Sequence, residues 1–63
     1  MNTYTLEIRN AYEDHRTIKV ESGNPQDAHK QAFFKLIKGS EEIVNMMDSK
    51  GNNVFSKEQG FNN

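Results

Sequence analysis

Cysteine is absent from this 63-residue chain, which excludes the disulfide framework of small secreted domains, thiolate metal sites and thiol nucleophiles. A reducing compartment fits such a composition. Long apolar runs are missing too, and Met1-Asn-Thr-Tyr-Thr-Leu6 offers neither a basic n-region nor an apolar h-region. The expectation is a soluble, cytoplasmic protein. Charge of one sign is equally scarce. Eight basic and nine acidic residues leave a net charge of −1, and they are interspersed from Glu7 to Glu58 with neither a basic arm nor an acidic tail. Nothing in that distribution steers the chain toward nucleic acid or a membrane. There is no internal repeat, no low-complexity segment, and no H-E-x-x-H, G-x-S-x-G or Walker-type glycine loop.

What remains is enough for one small domain. At this length a single hydrophobic core is near the lower limit for folding without metals or disulfides. About a dozen large apolar side chains, at roughly 1.5–3 kcal/mol each, offset only part of a backbone entropy cost of ~1–2 kcal/mol per residue. Marginal stability, or support from a partner, is therefore expected.

Tyr4, Leu6 and Ile8 alternate with Thr5, Glu7 and Arg9, and Ile18 and Val20 alternate with Thr17, Lys19 and Glu21. Both patterns have the period of two expected of strands with one buried face, and the polar segment 10–15 between them is short enough to close an antiparallel hairpin. Ser22-Gly23 ends the second strand. Asn24 suits an N-cap, Pro25 the first helical position, Asp27 the first turn, and Gly39 a left-handed residue after the helix. On a helix of about 100° per residue, Ala28, Ala32, Phe33, Leu36 and Ile37 share one arc, and Phe34 points away from it between Lys30 and Lys38.

After Gly39 the pattern forks. Ser40 can cap a second helix carrying Ile43, Val44, Met46 and Met47 on one arc. The rival is a hairpin with a type I turn over Asp48-Ser-Lys-Gly51 and a strand at Asn53-Val-Phe-Ser56. We prefer the hairpin, because its turn chemistry is specific and the last strand needs a partner. The predicted fold is thus α+β, ββαββ, with a four-stranded antiparallel sheet in the order 2-1-3-4 and one helix on one face. Residues 1–57 form the domain, and residues 58–63 a flexible C-terminal tail.

In that hairpin Met46 is expected to face Val54 and Met47 to face Asn53. Val44, Met46 and Val54 then share one side of the sheet, with Ile43, Met47 and Phe55 on the other. One helix covers only one side, so large apolar groups remain on the far face, a pattern that marks interaction surfaces. A homodimer through that open face is the simplest version. The competing explanation is that Phe61 and the tail fold back over it. Phe34 flanked by lysines is the second candidate, as an anchor in a protein pocket or a platform for a nucleobase.

His29 is expected as a packed residue hydrogen-bonded to a neighbour. His15, beside Glu13 and Asp14, lacks the spacing of a metal site. No metal or other cofactor is implied, and no catalytic residues emerge. The functional expectation is a small non-enzymatic protein-binding module of inhibitor or adaptor type, homodimeric, of the kind found among accessory proteins of phages and mobile elements. Its interaction residues would be Ile43, Met47, Phe55, Phe34, Lys30 and Lys38. Two alternatives are a nucleic-acid-binding protein using Lys30, Phe34 and Lys38, and a structural subunit of a larger assembly.

Overall fold

The computed structural model describes residues 1–12, 14–36 and 39–61. Strands β1 (Asn2–Arg9) and β2 (His15–Ser22) form the expected hairpin, pairing from Asn2↔Ser22 to Arg9↔His15 without a register shift. Asn10 organises the turn, its Oδ1 accepting the amide protons of Tyr12 and Asp14 at 2.9 and 3.0 Å. Helix α1 (Pro25–Gln31) begins as the sequence predicts: Asn24 caps it, with the Asp27 amide donating to Asn24 Oδ1 at 2.8 Å. From Ala32 to Leu36 the helix widens into a π-helical turn.

The fork after Gly39 resolves to strands β3 (Glu42–Met47) and β4 (Asn53–Ser56). Between them Asp48 accepts the Gly51 amide at its carbonyl (3.1 Å), and those of Lys50 and Asn52 at Oδ1 (both 2.9 Å). Gly51 has φ +87°, a conformation that glycine adopts without a Cβ penalty. Antiparallel pairing gives the order β2-β1-β3-β4, as expected, and extends it by a fifth strand, β5 (Gly60–Phe61), paired to β4. The segment assigned to a tail therefore contributes a strand at 60–61. Residues 62–63 lie outside the described residues.

The core lies between the helix and one face of the sheet. Tyr4, Leu6 and Ile8 of β1 are buried there with Val20, Ala28, Ala32, Ile43, Met46 and Phe55. Ala28 and Ala32 present only methyl groups, so the helix backbone can approach the strands closely.

The register predicted for the second hairpin is corrected. Glu7 and Ile8 face Asn45 and Ile43, so Val44 is an extra residue in β3. Met46 faces Phe55 rather than Val54, and Met47 faces Asn53, so Val54 is an extra residue in β4. A bulge shifts the alternation by one residue. Ile43 and Met46, three positions apart, consequently share the helix-covered face with Phe55, and Met47 is left on the other side.

Candidate functional site

The bulges dissolve the far-face apolar patch that the unbroken register implied. Ile43 and Phe55 are core residues, and only Met47 of that predicted trio is exposed, at 38%. Val44 is half-buried beside it and lines a shallow groove of about 480 Å³ with polar neighbours, among them Glu7, Asn45 and Ser56. At one end of this face Glu42 accepts from Arg9 at 2.8 Å and from Lys57 at 2.9 Å, bonds that hold its carboxyl below its usual pKa range. Asn45 Oδ1 is buried in this face without a hydrogen-bond partner among the described residues.

Phe34 is where the sequence placed it, outside the core and 72% exposed. Phe33, expected in the buried arc, is also out, at 58%. At about 100° per residue Phe33 stands at the edge of that arc, about 140° from Ala28 and about 100° from Ala32, the two residues that the helix buries against the sheet. The two rings meet edge to face at 5.3 Å between centroids, a favourable aromatic geometry. Lys30 and Lys35 are exposed on the same helix. Ile37, Lys38 and the side chain of Leu36 lie outside the described residues.

His29 links the exposed pair to the core. Its ring lies parallel to Phe33 at 6.4 Å, and it meets Phe55 at 4.8 Å and Phe61 at 5.4 Å edge on. Phe55 and Phe61 in turn are 4.8 Å apart. His29 is thus packed, as expected, but against rings, with no hydrogen bond to its own ring among the described residues, and burial lowers its pKa from the ordinary 6.5. The result is a continuous aromatic ridge from the sheet to the surface. Sequence reasoning held Phe61 folding back as its competing explanation, and that ring does lie against Phe55; it missed the exposure of Phe33 and the contacts that His29 makes with the other rings. The i, i+4 spacing of His29 and Phe33 was the available signal.

His15 Nδ1 lies 3.3 Å from Glu7 Oε2, and among the described residues no group of three or more His, Cys, Asp or Glu side chains is placed to hold a metal ion. No described helix is long and apolar enough to cross a membrane. The architecture defines a small α+β domain. Comparison with protein-family models, characterised proteins and solved structures returned no match to this chain.

Proposed function

We propose that this chain is a small non-catalytic protein-binding module, of inhibitor or adaptor type, that meets a larger partner through Phe33 and Phe34. One observation carries this reading: two adjacent phenylalanine rings, more than half exposed, stand against each other and are backed by His29, Phe55 and Phe61. An exposed aromatic already held in place loses little rotamer freedom on docking, and aromatic anchors surrounded by polar groups dominate the energetics of many interfaces. Lys30 and Lys35 supply such a polar rim. Burying each ring is worth roughly 1.5–3 kcal/mol.

The test is affinity capture from the native host with the whole chain as bait, wild type beside a Phe33→Ser/Phe34→Ser double variant whose fold is checked by circular dichroism. A protein retained in stoichiometric amount by the wild type and lost with the double variant is the expected result. Equal retention by both, or capture that disappears on nuclease treatment, would sink the reading, the latter in favour of nucleic-acid binding.

A further inference from the structure

Strand β2 is the outermost strand of the sheet on its side, and among the described residues no strand pairs with its outer edge. It runs for eight residues with no shift against β1 and contains neither glycine nor proline. The open edge carries the backbone groups of His15, Thr17, Lys19 and Glu21. Two hydrogen bonds establish this. Gln31 Nε2 reaches the Glu21 carbonyl from the helix side at 3.4 Å, so that carbonyl faces away from β1. On the far side of β1, the Lys57 amide donates to the Val44 carbonyl at 2.9 Å, which makes Asn45↔Ser56 a non-hydrogen-bonded pair. Asn45 therefore turns its backbone groups to Glu7. Alternation along β1 then gives its even-numbered residues to β2 and leaves the odd-numbered residues of β2 facing outward.

We infer that β2 of one chain pairs antiparallel with β2 of a second copy about a two-fold axis through Ile18, joining the two sheets into one. The axis stands perpendicular to the sheet, so residues that face each other must lie on the same side, and their numbers must sum to an even value. Two registers use nearly the whole strand. In the first, with a sum of 36, His15 faces the partner's Glu21, Thr17 faces the partner's Lys19, and Ile18 meets the partner's Ile18. All four outward residues of each copy then pair, giving about eight backbone hydrogen bonds. In the second, with a sum of 38, Lys19 faces the partner's Lys19 and His15 loses its place in the ladder. Directly opposed like charges are destabilising, so the first register is selected. Ile18 supports it, since it is half-buried at the middle of the strand, packed against the core on one side. Gln31 gives up its bond to the Glu21 carbonyl but keeps Asp27 Oδ2 at 2.7 Å. The inference is independent of the aromatic ridge.

Sedimentation equilibrium of the whole chain at high micromolar concentration tests it, together with single cysteines placed in a chain that has none. The expected results are a dimer for the wild type and for Phe33→Ser/Phe34→Ser. For Ile18→Glu, which sets two carboxylates on the axis, the dissociation constant should rise about a hundredfold. Lys19→Pro, which removes an outward N–H while sparing the ladder to β1, should also give a monomer. Under mild oxidation Ile18→Cys should form a disulfide-linked dimer and Lys19→Cys should not. A folded wild-type monomer at that concentration overturns the proposal. So does a dimer that survives both Ile18→Glu and Lys19→Pro, and cross-linking of Lys19→Cys in preference to Ile18→Cys rejects the register. The cysteine variants alter one side chain each, so they report even if Ile18→Glu fails to fold.

Discussion

At one side of the sheet β2 follows β1 for eight residues without interruption, whereas at the other side β4 bulges at Val54 and hands over to the two-residue β5. The β4–β5 side is held by aromatic side chains: Phe55 and Phe61 lie against each other and against His29. The β2 side is held mainly by its ladder and by polar links. Buried Ser22 donates to Asp27 Oδ2 at 2.7 Å and accepts from the Asn24 amide at 3.3 Å, and Arg16 makes a two-bond pair with Glu41 at 2.7 and 2.9 Å. In a chain with so little apolar mass, the aromatic side is closed by a bulge and a short last strand, two devices that blunt sheet edges. The ladder side relies on charged residues alone, and charges that deter random pairing also select one register when the partner is a second copy.

The largest expected effect breaks the aromatic side. Phe55→Ala removes the ring on which both His29 and Phe61 rest, and large-to-small changes of a buried phenylalanine cost about 3–5 kcal/mol. For a domain whose total stability is of the usual 5–15 kcal/mol or below, that is a large share. A urea titration should show most of the folded baseline lost. On the ladder side, Ser22→Ala takes from the Asn24 amide its bond to the hydroxyl and leaves Asp27 Oδ2 with the bond from Gln31, at a cost of about 1–2 kcal/mol. The urea midpoint should fall while the slope of the transition stays unchanged. Gly60→Ala is smaller still. Gly60 has φ +76° and open space around the position of a Cβ, so the cost is backbone strain alone, about 1 kcal/mol. Faster amide exchange confined to β4 and β5 is the measurement that checks it.

Both sides of this comparison were partly legible in the sequence. The alternation of Tyr4, Leu6 and Ile8 defined a buried face for the first hairpin, Asn24 and Pro25 marked the helix start, and Asp48 with Gly51 marked the second turn. These are local rules, and local geometry obeys them. The bulges were not legible, because apolar residues at 43, 44, 46 and 47 fit a shifted and an unshifted ladder equally well, and the choice is made by packing against Leu6, Ile8 and the helix. Ile43, Met47 and Phe55 do not share a face for that reason, Ile43 and Phe55 being in the core and Met47 exposed. Phe34 was legible because it lies off the apolar arc. Phe33 was not, because it stands at the edge of that arc, about 140° from Ala28, where the wheel does not decide between core and solvent. That β2 is an outer strand follows from strand order, and its capacity to pair with itself becomes visible only once the outward-facing residues are known.

Acid separates the two sides with the smallest perturbation. Burial lowers the His29 pKa from 6.5, so between that value and the folded one the unfolded chain binds the extra proton. Stability is then full above about pH 6.5 and declines as pH falls through the window below it. The carboxylates act in a lower range. Asp27 is lowered from 3.8 by the bonds from Ser22 and Gln31, Asp48 from 3.8 by the amides of its own turn, and Glu42 from 4.5 by Arg9 and Lys57. Their contributions are complete above those ordinary values and are lost as pH drops toward the folded ones. His29 touches Phe55 and Phe61, whereas Asp27 secures Ser22 at the end of β2, so acidification should loosen the aromatic side first. Urea midpoints measured from pH 7.5 to 5 should decline for the wild type and stay level for His29→Phe, which keeps a ring in the ridge and removes the proton. Below pH 4 the two proteins should lose stability together. A decline in His29→Phe equal to that of the wild type between pH 7.5 and 5 would show that another group, and not the histidine on the aromatic side, carries the first acid transition.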